Sequence, residues 1–206
     1  MTNSNLRHIV IILDRSGSMA LVKDDTEGGL KAFLAEQINA PSETTVSLYQ
    51  FDDRYEIVYE NTPLADVPDF ALKPRGMTAL LDAVGMTINR VGGHLATLPE
   101  DSRPGEVVAV ILTDGAENSS KEYTLPQVKD LITRQRDTYG WAFVFLGADQ
   151  DAFAAAGGMG IGRASTLSYG SNRTEESMTR AGAMVTRGSR TGDYTFTDDD
   201  RDATSA

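Results

Sequence analysis

Three short, continuous runs of apolar residues constrain the fold more than any other feature of the sequence. They span residues 8–13, 106–112 and 141–146, and each is rich in β-branched or aromatic side chains. A strand with one face in water alternates apolar and polar residues, whereas a strand of a parallel sheet covered by helices is apolar on both faces. The runs therefore predict strands in the interior of a parallel sheet.

Helical patterns lie between these runs. From residue 78 to residue 98, large apolar residues recur at steps of three and four, which places them on one face of a helix. A second helix is predicted to begin near Thr124, because Gln127 completes a capping-box pattern and Pro126 suits the first turn. The alternation of strands and helices along the chain is typical of α/β proteins.

The segment 44–60 follows a different pattern. Apolar and polar residues alternate in two stretches, which are separated by the polar residues 52–54. This pattern predicts a β-hairpin whose second strand lies at an exposed edge of the sheet. The predicted fold class is thus α/β, with a doubly wound, mostly parallel sheet, one antiparallel edge strand and helices on both faces.

The composition excludes several classes of function. With 19 Lys and Arg against 30 Asp and Glu, the formal net charge is −11. Binding to nucleic acids or to anionic membranes requires basic patches, so we expect neither as a partner. The chain has no cysteine, which excludes disulfides, thiolate catalysis and metal–thiolate sites. No apolar stretch is long enough for a signal peptide or a membrane span, so a cytoplasmic location is expected.

The last part of the chain has a composition of its own. Residues 189–206 are rich in aspartate, and Tyr194 and Phe196 are their large apolar residues. A segment with so few apolar groups gains little from burial. The sequence therefore predicts one domain over residues 1–188, followed by an acidic, flexible tail over residues 189–206.

Oxygen-bearing side chains follow two of the predicted strands and precede the helix that begins near residue 78. They are Asp14, Ser16, Ser18, Thr78 and Asp114. The carboxyl ends of the strands in a doubly wound sheet form a crevice in which ligands bind, so we expect these side chains to converge there. Carboxylates and hydroxyls, without imidazole or thiolate, suit Mg²⁺, Mn²⁺ or Ca²⁺. If the hydroxyls are direct ligands, the cation stays electrophilic and favours an anionic oxygen from outside, such as a carboxylate of a partner protein.

This constellation resembles the metal ion-dependent adhesion site of von Willebrand factor type A (VWA) domains. The resemblance implies a six-stranded sheet in which Ser16, Ser18 and Thr78 coordinate the metal, while Asp14 and Asp114 act through water. It also implies binding to another protein. The run at 111–118 is most similar to bacterial, intracellular members of the family, which often work beside AAA+ ATPases or in stress responses. The resemblance therefore predicts a metal-dependent adaptor that is not an enzyme.

Other interpretations of the same residues remain open. Asp14 is a candidate nucleophile for a Mg²⁺-dependent phosphatase or phosphotransferase, although haloacid-dehalogenase-like phosphatases have a second aspartate where Ser16 stands. A metal-free scaffold that binds partners along its edge strand is a further alternative. Asp14 and Thr78 also have a purely structural interpretation, as a loop cap and a helix N-cap. Glu117 and Asn118 are expected to shape the loop after Asp114.

Overall fold

The computed structural model describes residues 2–148 and 151–205. Their strands form one six-stranded sheet in the order β3-β2-β1-β4-β5-β6. The strand β3 is antiparallel to β2, and all other neighbouring strands are parallel. The strands are β1 (Asn3–Asp14), β2 (Glu43–Phe51), β3 (Tyr55–Pro63), β4 (Pro104–Thr113), β5 (Ala142–Ala148) and β6 (Thr166–Tyr169). The helices are α1 (Lys23–Gln37), α2 (Leu80–Thr97), α3 (Leu125–Tyr139), α4 (Ala152–Gly158), α5 (Thr174–Thr191) and α6 (Asp198–Thr204).

Both faces of the sheet are covered by helices, as predicted. Along β1, Ile9 and Ile11 belong to one buried cluster, which also contains residues of α1 and α5. Val10 and Ile12 point the other way and pack with residues of α2, α3 and α4. Because successive side chains of a strand alternate between its faces, a strand buried on both faces must be apolar throughout. This explains the continuous run at 8–13.

The predicted elements have close counterparts in the structure. The capping box at Thr124 is present and begins α3. The edge strand β3 carries irregular pairing with β2, and its Asn61 has a positive φ of 50°. The predicted fold class, with a mostly parallel sheet and one antiparallel edge strand, is confirmed.

The end of the chain differs from the prediction of a flexible tail from residue 189 onward. The helix α5 continues to Thr191, and a further helix, α6, follows after a short connection. Phe196 is 3% exposed and belongs to the core cluster beside α1 and α5. Residues 189–205 therefore pack against the domain, and residue 206 lies outside the described residues.

Specific contacts hold this segment against the sheet. The hydroxyl of Tyr194 donates a hydrogen bond to Glu106 of β4 (2.7 Å), and the backbone N–H of Phe196 donates to the carbonyl of Ala164 (3.0 Å). The guanidinium of Arg201 in α6 donates to the carbonyl of Thr166 at the start of β6 (2.8 Å). Composition alone underestimates how well such a segment packs against the domain, because two aromatic residues and one arginine are enough to anchor it.

A buried histidine lies in β1. His8 is 1% exposed, and its two ring nitrogens lie 2.7 Å from the hydroxyl of Thr45 and 3.2 Å from that of Ser47. Burial removes the imidazolium from water and lowers the pKa of His8 to about 4, and the nearby His94 acts in the same direction. The folded protein therefore holds His8 neutral over a range in which an unfolded chain takes up a proton.

The C-terminal segment yields a first prediction. Replacing Phe196 by alanine should lower the free energy of unfolding by about 3 kcal/mol, because a buried aromatic side chain leaves a cavity. Urea denaturation monitored by the fluorescence of Trp141 measures the change. Ile38→Ala is the control, since Ile38 is 74% exposed, and it should change stability by less than about 0.5 kcal/mol. Equal effects of the two substitutions would mean that the segment is not part of the core.

His8 yields a second prediction, on pH dependence. Between pH 7 and pH 5 the unfolded chain protonates at His8 while the folded protein does not, so acidification should destabilise the fold by about 2 kcal/mol through this residue. The variant His8→Asn should lose that part of the pH dependence. Other titrating groups are common to both proteins, so the difference between the two unfolding profiles isolates His8. Parallel profiles over this range would show that His8 is not held neutral.

Candidate metal centre

The candidate ligands come from the middle of the sheet. The strands β1 and β4 are neighbours and run parallel, with Leu13 paired to Leu112, so their carboxyl ends lie side by side. Asp14 is the last residue of β1, and Asp114 follows the last residue of β4. Thr78 precedes the helix α2, whose first residue is Leu80. The strand pairing thus brings together two carboxylates that are separated by 100 positions in the sequence.

Asp14 is the most buried member of the group. Its exposed fraction is 0%, and each carboxylate oxygen accepts a hydrogen bond: Oδ1 from the backbone N–H of Ser16 (2.6 Å) and Oδ2 from the hydroxyl of Thr113 (2.5 Å). Burial raises the pKa of the Asp14 carboxyl to about 6, although the hydrogen bonds from Thr113 and Ser16 oppose this. A divalent cation beside Asp14 would favour its charged form.

Two serines link Asp14 to Asp114. A short 3₁₀ helix, Gly17–Leu21, follows β1 and places Ser16 and Ser18 next to each other. Their hydroxyl oxygens are 3.1 Å apart, and the hydroxyl of Ser18 donates a hydrogen bond to Oδ1 of Asp114 (2.6 Å). Four of the five predicted ligands therefore form one continuous chain of polar contacts.

The fifth predicted ligand, Thr78, lies beside this chain. A side chain added at Gly115 would place its Cβ 3.0 Å from Oγ1 of Thr78 and 3.7 Å from Oγ of Ser18. Gly115 therefore faces both hydroxyls, and a glycine leaves the space that they require. All five predicted residues lie at one place in the fold, while metal ligation by them remains a prediction.

The side chain of Thr78 does not cap α2. The N-cap position is Ala79, and no side chain at that position accepts a hydrogen bond from the helix. Glu117 takes this role instead, because its carboxylate accepts a hydrogen bond from the backbone N–H of Leu81 (2.9 Å). The side-chain oxygen of Asn118 accepts one from the backbone N–H of Thr78 (2.9 Å). Glu117 and Asn118 thus shape the loop, as expected, and leave the hydroxyl of Thr78 available to a ligand.

A cluster of ion pairs joins the loops that surround the site. Asp52 at the end of the β2–β3 hairpin is fully buried, and its Oδ2 lies 3.0 Å from Nε of Arg15 and 2.7 Å from Nε of Arg75. Both arginines also pair with Glu56. Burial alone would raise the pKa of Asp52, but hydrogen bonds from Arg75 and Arg54 and the charges of Arg15 and Arg75 outweigh it and lower the pKa.

Backbone hydrogen bonds join the same loops. The N–H of Arg75 donates to the carbonyl of Arg15 (2.8 Å), and the N–H of Gly17 donates to the carbonyl of Gly76 (3.2 Å). Gly76 has a φ of 72°, a conformation that favours glycine. The N–H of Ala79 donates to the carbonyl of Asp52 (2.9 Å). These contacts fix the loop that carries Thr78 against the loop that carries Ser16 and Ser18.

The donor set fits a hard divalent cation. Within residues 2–148 and 151–205, no group of three or more His, Cys, Asp or Glu residues could hold a metal, so a cation at this place would depend on hydroxyl ligands. Two adjacent oxygen ligands of an octahedral Mg²⁺ ion lie about 3 Å apart, because each Mg–O bond is about 2.1 Å long. The hydroxyl oxygens of Ser16 and Ser18, hydrogen-bonded at 3.1 Å, are close enough for both to bind one cation.

No family model matches the sequence, and no curated protein matches it significantly. Solved structures do resemble the fold. The von Willebrand factor domain of a type V pilus tip protein from Porphyromonas gingivalis has a TM-score of 0.64 at 10% identity, and covers 88% of this chain and 95% of its own. A von Willebrand factor type A protein from Catenulispora acidiphila has a TM-score of 0.59 at 16% identity, over 90% of this chain and 43% of its own. This chain has the VWA fold.

A third similar structure carries a metal. Proximal thread matrix protein 1 from the mussel byssus, described with a zinc-occupied adhesion-site motif, has a TM-score of 0.62 at 16% identity. The match covers 90% of this chain and 47% of the mussel protein, so the chain spans about half the length of that protein. At such identities the likeness shows the fold alone. In the described part of this VWA fold, no helix has the length and apolar character needed to cross a membrane.

The ion-pair cluster yields a third prediction. Asp52→Asn should lower the free energy of unfolding by about 3 kcal/mol, because it leaves the buried guanidinium of Arg15 short of one counter-charge. Chemical denaturation at constant pH measures the loss. The neighbouring Asp53, which is exposed, provides the control: Asp53→Asn should change stability by no more than about 0.5 kcal/mol. If the two variants were equally stable, the cluster would not support the site.

Proposed function

We propose that this protein is a metal-dependent binding module, which holds a divalent cation at the candidate centre and uses it to bind an acidic side chain of a partner protein. The observation that carries the proposal is the chain of contacts from Asp14 through Ser16 and Ser18 to Asp114, with the hydroxyl of Thr78 beside it. The donor atoms that converge there are oxygens, and the set contains no imidazole nitrogen and no thiolate sulfur.

Mg²⁺ is the cation that we propose, with Mn²⁺ and Ca²⁺ as alternatives. The oxygen donors of the site are few enough to leave positions for water, which suits Mg²⁺ because this ion keeps several waters when it binds to proteins. Two carboxylates supply about the charge of one divalent ion. If both carboxylates contact the ion only through water, and the hydroxyls bind it directly, the ion keeps most of its attraction for another anionic oxygen.

The partner that we propose is a protein that presents an Asp or Glu side chain. Ser18 is exposed and Asp114 is partly exposed, so the centre opens to the surface at the carboxyl edge of the sheet. A cation there can reach a carboxylate on another molecule. Action as an adaptor for an AAA+ ATPase or in a stress response, within the cytoplasm, is part of this proposal and depends on which protein provides the carboxylate.

The other two functions receive less support. A nucleophilic carboxylate needs access to its substrate, whereas Asp14 is fully buried and both its oxygens accept hydrogen bonds. A scaffold that adds a partner strand would use β3, where the pairing register shifts twice and Asn61 departs from extended geometry. Irregular edges of this kind disfavour strand addition.

The proposal makes a fourth prediction, on metal binding. Millimolar Mg²⁺ should raise the melting temperature by several degrees, because only the folded protein presents the site. The double variant Ser18→Ala and Thr78→Val should lose most of this shift, since it removes two proposed ligands. Thr179→Val, at a partly exposed threonine of α5, is the matched control and should keep the shift. Calorimetric scans with Mg²⁺, Mn²⁺, Ca²⁺ or Zn²⁺ against a chelator measure it, and no shift with any ion would contradict the proposal.

Partner binding is tested with the same variants. Wild-type protein immobilised in Mg²⁺ should retain from a native extract a protein that a chelator releases, and the double variant should not retain it. Asp→Asn and Glu→Gln substitutions in the surface of that protein should then include one that abolishes binding. Binding that survives both the chelator and every such substitution would reject the proposed mode of recognition.

A further inference from the structure

Two exposed apolar side chains lie on the same two segments as the proposed hydroxyl ligands of the metal centre. Leu21 is 93% exposed and Met77 is 53% exposed. We propose that they form an apolar docking surface, the Leu21–Met77 surface, which binds a large apolar residue two positions from the partner's acidic residue. This inference rests on the proposed function and specifies the partner sequence that the site selects.

Leu21 is placed by the 3₁₀ helix that carries Ser18. In such a helix, side chains three positions apart lie on the same face, one above the other. Ser18 and Leu21 are the second and the last residue of the helix Gly17–Leu21, three positions apart. Leu21 therefore lies on the side of the helix from which Ser18 contacts Asp114.

Met77 reaches the same place from another loop. It directly precedes Thr78, and the hydrogen bond from the N–H of Gly17 to the carbonyl of Gly76 holds its loop against the start of the 3₁₀ helix. Thr78 is buried while Met77 is exposed, so the backbone at this point directs the hydroxyl inward and the thioether outward. The two apolar side chains thus come from the two loops that supply the proposed hydroxyl ligands.

The charge of Arg75, close to this surface, is already paired, which favours an apolar residue over a second acidic residue near the partner's carboxylate. Arg75, two positions before Met77, is half exposed, but its guanidinium pairs with Asp52 and Glu56. Its positive charge is therefore already matched, and it offers little to a second acidic group. Unbranched Met side chains adapt to partners of different shape. Contact with an apolar side chain removes exposed apolar surface on both molecules from water.

The spacing of two follows from helix and strand geometry. In ideal 3₁₀ geometry, three steps, such as those from Ser18 to Leu21, advance about 6 Å along the helix axis. In an extended segment, side chains two positions apart lie on the same side and are separated by about 6.6 Å. An extended partner segment with the pattern acidic-x-apolar can thus place its carboxylate at the centre and its apolar side chain on the Leu21–Met77 surface.

A second copy of this chain is a weaker candidate for the occupant. Each copy carries a formal net charge of −11, so two copies repel each other. A copy would also have to place one of its own carboxylates at the partner's centre to use the surface in this way. The repulsion between copies and the continuity with the metal centre therefore favour a different protein, one that presents the acidic-x-apolar pattern.

The test uses an array of immobilised peptides with a Gly-Ser background. Each peptide carries one central Asp, Glu, Asn or Gln and one Leu, Phe or Ser at offsets of one, two or three positions. Full-length protein is applied with millimolar Mg²⁺ or with a chelator. We expect Mg²⁺-dependent binding to acidic peptides, which is about tenfold stronger with Leu or Phe at an offset of two.

Variants of the two apolar residues test whether the Leu21–Met77 surface causes the preference for Leu and Phe. The double variant Leu21→Ser and Met77→Ser should still bind acidic peptides in a Mg²⁺-dependent manner and should keep the Mg²⁺ shift in melting temperature, but it should lose the preference for Leu and Phe. The control Ile38→Ser removes a side chain that is 74% exposed at the far end of α1, and it should keep the preference.

The outcomes separate this inference from the proposed function. Acidic peptides bound without a preference at offset two, or with a preference that the double variant retains, overturn the Leu21–Met77 surface and leave the metal-dependent module intact. An absence of Mg²⁺-dependent binding to any acidic peptide overturns both. Sedimentation of a concentrated sample adds one more outcome, because a dimer that the double variant dissociates would assign the surface to a second copy and overturn the inference.

Discussion

The parallel pairing of β1 with β4 is the interaction on which the site depends. It is the central contact of the sheet, and it brings Asp14 and Asp114 to neighbouring strand ends. Each strand is buried on both faces, so a shift by one residue would exchange the side chains that pack in the two layers and disrupt the close packing of both. The same burial that stabilises the fold therefore holds the two carboxylates in register.

Much of this arrangement could be predicted from the sequence, because it depends on periodicity and on motif position. Continuous apolar runs predicted the interior strands, and alternation predicted the hairpin with its edge strand. The five candidate ligands follow or precede those elements directly, so the order of elements along the chain was enough to place them at one edge of the sheet. The structure brings all five together.

Residues whose roles depend on contacts between distant segments were missed. Thr113 donates to Asp14 across 99 positions, and Asp52 pairs with Arg15 and Arg75 from a different loop. No local pattern marks either role. The C-terminal segment was misjudged for a related reason: its average composition is polar, but Phe196 inserts into the core and Thr197 forms a capping box with Asp200. The pairing of Thr197 with Asp200 three positions later was the available signal.

The helix α6 also has a consequence for behaviour at high concentration. Parallel sheets end in strands whose outer backbone groups can recruit a strand from another molecule, and β6 is such a strand. Arg201 donates hydrogen bonds to the carbonyls of Thr166 and of the two residues Arg163 and Ala164, which precede β6 in the chain. These carbonyls are thus occupied from within the molecule. Within β6 itself this concerns the carbonyl of Thr166, so removal of α6 would leave that carbonyl free to accept a hydrogen bond from a strand of another molecule.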